Sequence, residues 1–134
     1  MSLSYKIVTF FLGLCFSGFF GHCIVRFTNS RLRNYLSLEE KQPAKLTGAL
    51  GVIERIIYTL FVFGGAAYYT YAGIFFGLKI AQRLITFSKI EKSEQLKNVG
   101  ERVNVYFICN ILSLAFGILG GILIRYLWAY GPKS

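Results

Sequence analysis

The sequence predicts an all-α integral membrane protein, with four transmembrane helices in a single domain over residues 1–134 and both termini on the non-cytoplasmic side. Hydrophobic residues make up 54% of the chain and aromatic residues 17%. This exceeds the apolar share of about 45–50% in soluble domains, even though that share counts glycine. The apolar residues form long runs, and most basic residues lie between them. Such a pattern is typical of multi-span membrane proteins.

The first predicted span, 7–25, is the run IVTFFLGLCFSGFFGHCIV. It is long enough to cross a bilayer, and we expect a retained helix because only Lys6 precedes it as a charge and no A-x-A site follows. The second predicted span, 46–63, begins after Pro43, a residue that suits the first turn of a helix.

The third and fourth predicted spans are 66–87 and 103–128. Gly64 and Gly65 offer a tight break between the second and third spans, since glycine adopts turn conformations that other residues avoid. A three-span alternative exists, because residues 56–78 carry no charge and could form one helix by themselves.

The distribution of charge favours four spans over three. With four, the connections 26–45 and 79–102 share one side of the membrane, whereas three spans would place them on opposite sides. A basic bias of this kind normally marks the cytoplasmic side. The basic residues of the two connections are Arg26, Arg31, Arg33, Lys41, Lys45, Lys79, Arg83, Lys89, Lys92, Lys97 and Arg102, against Lys6, Arg125 and Lys133 on the other side.

Aromatic and small residues fit the same arrangement. An interfacial belt is expected on the sparsely charged side, formed by Tyr5, Tyr68, Tyr69, Tyr71, Tyr126, Trp128 and Tyr130. Small residues four apart allow close helix packing within a bundle or between copies. They are Gly13, Ser17 and Gly21; Thr47 and Gly51; Gly73, Gly77 and Ala81; and Ser113, Gly117 and Gly121.

Charges within the second and third spans form the candidate site. Glu54 lies about 12 Å into its helix, near the bilayer midplane, where an ionised side chain is costly and needs a partner. If the chain reverses at Gly64–Gly65, Lys79 lies within about one helical turn of Glu54. We expect an intramembrane charge cluster of Glu54, Arg55, Lys79 and Arg83, with Lys79 as the main partner of Glu54 and Arg55 as a second one. The cluster would fix helix packing, or line a polar path or an anion site.

The segments GVIER, AGIFFGLKIAQRLITF and NVYFICNILS carry a resemblance. Together they resemble a group of small uncharacterised bacterial integral membrane proteins, in which a Gly-x-x-Glu-Arg helix is followed by a helix containing Lys and Arg. The resemblance implies that the four charges above belong to one signature. The group has a glutamate at the start of its last helix, where this chain has Asn104, and it offers no activity to carry over.

The sequence shows no acid pair, nucleophile–base set or phosphate-binding loop, so we expect a protein that is not an enzyme and has no cofactor. His22 and Cys15 lack the spacing of a tetrahedral metal site, so we expect a packed histidine and no metal. Cys15, Cys23 and Cys109 lie in apolar segments, and an odd number there argues against a disulfide framework.

These features predict a homo-oligomeric channel or membrane-permeabilising effector of the bacterial inner membrane, since so short a chain needs several copies to enclose a pore. Two alternatives are an accessory or assembly subunit, which needs a protein partner, and a small transporter using Glu54. Arg55 and Lys79 would keep Glu54 ionised, which disfavours the transporter.

The cytoplasmic connections predict a basic face, represented by Arg31, Arg33, Lys92 and Lys97. Such a face attracts the anionic headgroups of the lipid bilayer. In an oligomer the fields of several copies add, so an anionic ligand such as a nucleotide or oligonucleotide is the sharper alternative.

Overall fold

The computed structural model describes residues 2–38, 45–91 and 99–131, and the secondary structure of these residues is helical without strands. Helix α1 spans Leu3–Tyr35, α2 spans Lys45–Gly64, α3 spans Ala66–Glu91 and α4 spans Val99–Tyr130. The all-α fold class is confirmed for this part of the chain. Each helix contains one of the predicted spans.

Helix α1 contains a π-helical turn at Phe16–Phe20, between α-helical segments at Leu3–Cys15 and Gly21–Tyr35. Single π turns of this kind occur frequently at functional sites. Here the turn carries Ser17 and Gly18, both of which are buried against other helices.

The predicted break between the second and third spans is confirmed. Helix α2 ends at Gly64 and α3 begins at Ala66, with Gly65 alone between them. Gly65 has a φ of 101°, in the left-handed region that glycine adopts without strain. Gly64 makes room for the ring of Tyr68, because an added Cβ would lie 2.8 Å from Tyr68 Cδ2.

The four helices run alternately up and down. Helices α2 and α4 lie parallel and side by side, α1 packs against both, and α3 turns back along α2. The start of α1, the α2–α3 turn and the end of α4 therefore share one end of the bundle. The contacts that fix this arrangement are Gly13–Ile124, Gly21–Phe116, Arg55–Ser113, Val62–Gly121 and Glu54–Lys79.

Glycines bring the backbones of α1, α2 and α4 close together. A Cβ added at Gly120 would lie 2.7 Å from Ser17 Cβ and 3.0 Å from the Gly13 carbonyl oxygen. One added at Gly121 would lie 2.6 Å from Val62 Cβ. Small residues permit such contacts where no hydrophobic effect drives helices together. The core of the protein therefore lies between α1, α2 and α4.

Two helices, α1 and α4, are long and apolar enough to cross a membrane, judged by length and composition. Only 28% of the apolar window of α1 and 33% of that of α4 is buried, whereas a core helix of a soluble protein is mostly buried. Apolar side chains such as Phe19 and Ile122 face outward. These two helices support membrane association; the crossing of α2 and α3 and the side of the termini stay predictions.

Several members of the predicted aromatic belt come together at one end of the bundle. Arg125 Nη1 donates to Tyr69 Oη at 2.7 Å, which joins α4 to α3. Trp128 Nε1 donates to Thr9 Oγ1 at 3.0 Å, which joins α4 to α1. This end is the one that holds the start of α1 and the α2–α3 turn.

Candidate functional site: charges along helix α2

Glu54 on α2 forms an ion pair with Lys79 on α3, the partner predicted by the reversal at Gly64–Gly65. Lys79 Nζ donates to Glu54 Oε2, and the side chains of Lys79 and Glu54 are 23% and 20% exposed. Because a partly buried charge without a partner is costly, each member of the pair depends on the other for neutralisation.

Arg55, the next residue, points away from α3 and into the core between α1 and α4. It is only 2% exposed. Arg55 Nη1 donates to Ser113 Oγ at 3.1 Å, and Arg55 Nη2 donates to His22 Nδ1 at 3.3 Å. A guanidinium has five N–H donors and no acceptor. Both partners therefore meet Arg55 with an acceptor atom.

Hydroxyl groups also bind the backbone of α2 at the position of Arg55. Ser17 Oγ, in the π turn of α1, donates to the Arg55 carbonyl oxygen at 3.2 Å. Thr59 Oγ1 lies 2.9 Å from the same oxygen and 3.1 Å from the Gly117 carbonyl oxygen, so its one proton can serve either. These bonds join α1, α2 and α4 at the level of Arg55.

Two buried polar atoms of α2, Arg55 Nε and Tyr58 Oη, have no hydrogen-bond partner among the described residues. Tyr58 is 1% exposed, and its ring packs edge-on against Phe75 of α3 at 5.7 Å. A buried polar group without a partner costs about 1–3 kcal/mol. A hydrogen-bond acceptor beside either atom would therefore lower this cost.

Arg83, the fourth predicted member of the cluster, has different partners. Its guanidinium lies over the rings of Phe87 and Tyr106, at 5.4 Å and 5.5 Å from their centroids, and the residue is exposed. We expected one constellation of four charges. The described contacts divide them into three: the pair Glu54–Lys79, the buried Arg55, and Arg83 on aromatic rings.

The predicted basic face is described only in part. Arg31 lies over the ring of Phe27 at 5.1 Å, and Arg33 Nε donates to Asn29 Oδ1 at 3.3 Å, both near the end of α1. Lys92 and Lys97 lie outside the described residues. The basic face and its anionic ligand stay predictions.

Sequence reasoning missed the roles of His22, Ser17 and Ser113. It treated His22 as a packed ring and the two serines as small residues that let helices approach. One signal was available, because the serines are the polar members of stripes that face a neighbouring helix, where hydroxyls usually form hydrogen bonds. Among residues 2–38, 45–91 and 99–131, no three His, Cys, Asp or Glu side chains come together to hold a metal ion.

Comparison with protein-family models, curated proteins and solved structures finds no match to this chain. The resemblance to small bacterial membrane proteins therefore stays a prediction. The function has to be inferred from the geometry of the site and from the exposed surfaces of the helices.

Proposed function

We propose that this protein is a four-span channel or membrane-permeabilising effector of the bacterial inner membrane, assembled from identical copies and without catalytic activity. The observation that carries the proposal is the open side of α3. Gly73 and Gly77 have nothing within 4 Å of an added Cβ in the described structure. The glycines of α1 and α4 with the same spacing, such as Gly13 and Gly117, are in tight contact with other helices.

The core of one copy favours a path between copies over a path within one. In the described residues, α1, α2 and α4 meet through backbone contacts, as at Gly120 and Gly121. Such contacts leave little room for water between these three helices. A path through the membrane would therefore be enclosed by several copies.

Helix α3 is separated from α4 by grooves that a neighbouring copy could fill. One groove of about 400 Å³ is lined by α2, α3 and α4, and includes Tyr69 and Gly73. Another of about 420 Å³ lies towards the start of α4 and includes Ser88 and Asn104. We assign the open side of α3 to a second copy because this chain already pairs its own helices through small residues at the same spacing.

The two alternatives differ in what they need from the structure. A transporter coupled through Glu54 would have to break its ion pair with Lys79 in each cycle, which argues against it. An accessory subunit would use the same open side of α3 to bind a different protein. That alternative is decided by the oligomeric state and by ion flux.

The proposed topology places both termini outside the cytoplasm, with the connections 26–45 and 79–102 inside. The shared end formed by the start of α1, the α2–α3 turn and the end of α4 supports placing both termini on one side, and the basic residues of the connections support the choice of the outside. In a background without the native cysteines, Asn34→Cys and Gln95→Cys should react with impermeant reagents only from the cytoplasm, and Tyr130→Cys only from outside. Labelling of Asn34→Cys from outside would contradict the topology.

Cross-linking tests the interface between copies. In the same cysteine-free background, Gly77→Cys should form disulfide-linked dimers in membranes, because the proposed interface brings two α3 helices together. Phe19→Cys is the matched control: Phe19 is 78% exposed but lies on α1, and it should give few dimers. Equal cross-linking of the two variants would remove the α3 interface.

Flux tests the channel itself. Liposomes that contain the cross-linked oligomer should release trapped ions, and empty liposomes should not. A confirmed oligomer that releases no ions, with or without an added nucleotide, would leave the accessory subunit as the better explanation.

A further inference from the structure

Arg55 is a buried cation whose hydrogen-bonded partners are neutral. Glu54 is bound to Lys79 on the α3 side of α2, and no described carboxylate forms an ion pair with Arg55. A buried charge is normally paired. At 2% exposure and with Nε unpartnered, Arg55 has no negatively charged group in direct contact among the described residues.

Arg55 and Ser113 are the donors of this cluster. Arg55 donates to His22 Nδ1, so His22 acts as an acceptor that orients the guanidinium, and its own proton, on Nε2, lies on the far side of the ring. Because Arg55 donates to Ser113 Oγ, the Ser113 hydroxyl keeps its own proton to give elsewhere. The cluster therefore offers N–H and O–H groups with one positive charge, which is the chemistry that binds an anion.

Glycines of α2 leave space beside these donors. A Cβ at Gly51 would lie 3.7 Å from Arg55 Nη2 and 3.8 Å from Nη1, and a Cβ at Gly48 would lie 3.5 Å from His22 Cε1. At both positions α2 presents bare backbone to the cluster. Gly21 of α1 leaves room for the side-chain carbons of Arg55, because a Cβ there would lie 2.9 Å from Arg55 Cδ.

The cluster lies towards the end of the bundle where α2 begins. Side chains on a helix point back towards its start, and the guanidinium accordingly lies beside Gly51, one turn before Arg55. His22 is only partly buried and marks the edge of the cluster. An anion would enter from this end, past His22 and Gly48.

We propose that Arg55 and Ser113, with His22 orienting the guanidinium, form a binding site for a small monovalent anion of about the size of chloride. One positive charge suits one negative charge. The narrow space suits a single atom, since even a methyl group at Gly48 or Gly51 would touch the cluster. The site lies between α1, α2 and α4 of one copy and not at the proposed α3 interface, so the inference goes beyond the proposed channel and does not rest on it.

Thermal unfolding of the full-length protein in nanodiscs of uncharged lipid tests the site. Chloride is exchanged for gluconate at constant ionic strength, so that general salt effects stay fixed. The midpoint of unfolding should rise with chloride and saturate, because a ligand that binds only the folded state stabilises it. Ser113→Ala removes one donor and should weaken the apparent affinity by roughly tenfold or more.

Gly51→Ala and Gly18→Ala form a matched pair of variants. Each places an alanine methyl in a helix, and each is accommodated by ordinary contacts, with the Cβ at Gly18 3.4 Å from Val52 Cγ1. Gly51→Ala should abolish the chloride-dependent rise, since its methyl group occupies the proposed site. Gly18→Ala should keep the rise at the wild-type level.

Three results would overturn the site: no response to chloride, an equal response in Gly51→Ala and the wild type, or a larger response to inorganic phosphate than to chloride. Chloride release from liposomes separates the site from the channel. Binding without release would keep the site and remove the channel. Chloride release that Gly51→Ala leaves unchanged, with no binding, would keep the channel and remove the site.

Discussion

The two sides of helix α2 hold their neighbours by different means. Towards α1 and α4, the contacts are between backbones or through short hydroxyl groups, as at Gly117, Gly121 and Thr59. Towards α3, they are between the ends of long side chains, as in Glu54–Lys79. Close backbone contacts tolerate no added volume, whereas long side chains can rearrange. The comparison indicates that α1, α2 and α4 form a fixed unit and that α3 is the helix able to exchange partners.

One glycine-to-alanine substitution on each side of α2 should give the largest difference in the free energy of unfolding. In Gly121→Ala the new Cβ would lie 2.6 Å from Val62 Cβ and 2.8 Å from the Thr59 carbonyl oxygen. Helices α2 and α4 would have to separate, so we expect a loss of about 1–3 kcal/mol in the free energy of unfolding. In monomeric protein, where Gly77 faces open space, Gly77→Ala should be neutral or stabilising by up to about 1 kcal/mol.

Denaturant unfolding in detergent micelles measures both variants. Similar losses in the two variants would mean that α3 is packed as tightly as the core, contrary to the comparison. Similar stability of Gly121→Ala and the wild type would mean that the contact between α2 and α4 can relax.

The ion pair on the α3 side should give an intermediate effect. Glu54→Gln leaves Lys79 unmatched, and Lys79→Met leaves Glu54 unmatched. We expect each to lose about 1–2 kcal/mol of unfolding free energy, less than a fully buried pair because both side chains are partly exposed. The double variant leaves no unmatched charge and should recover part of the loss.

The double-mutant cycle measures this coupling directly. Losses that simply add would show that Glu54 and Lys79 act independently, and that α3 is held by other contacts. A coupling larger than about 3 kcal/mol would mean that the pair is more buried than its contacts indicate.

The sequence predicted the helices and their order because their causes are local. Apolar runs long enough to span, Pro43 before α2 and the pair Gly64–Gly65 are all readable along the chain. The partner of Glu54 was also readable, since a tight reversal fixes which residues of α2 and α3 lie level. The alignment of α2 with α3 across a short turn can be predicted without knowing where the other helices lie.

The surroundings of Arg55 could not be predicted in the same way. They depend on α4 lying beside α2 and on the π turn at Phe16–Phe20, and neither is fixed by a short connection. His22 and Ser113 are 33 and 58 residues from Arg55 in sequence. For that reason the sequence assigned Arg55 to its neighbour Glu54, while the structure places its guanidinium in the core.

The smallest effects are expected where α3 meets α4 at its two ends. Arg83 of α3 lies over Tyr106 of α4 at 5.5 Å, and Arg125 of α4 donates to Tyr69 of α3 at 2.7 Å. Both arginines are exposed, so Arg83→Gln and Arg125→Gln should each lose no more than about 0.5–1 kcal/mol of unfolding free energy.

Amide hydrogen exchange shows which part of α3 each substitution destabilises. Each substitution should speed amide exchange in the half of α3 nearest to it, because few backbone contacts hold that helix, and should leave α2 unchanged. The two variants serve as controls for each other, since they act at opposite ends of the same helix. If either substitution speeded exchange along all of α3, the helix would be held as one unit by coupled contacts. If each acted only locally, α3 would be held by independent side-chain contacts, and a neighbouring copy could replace them one at a time.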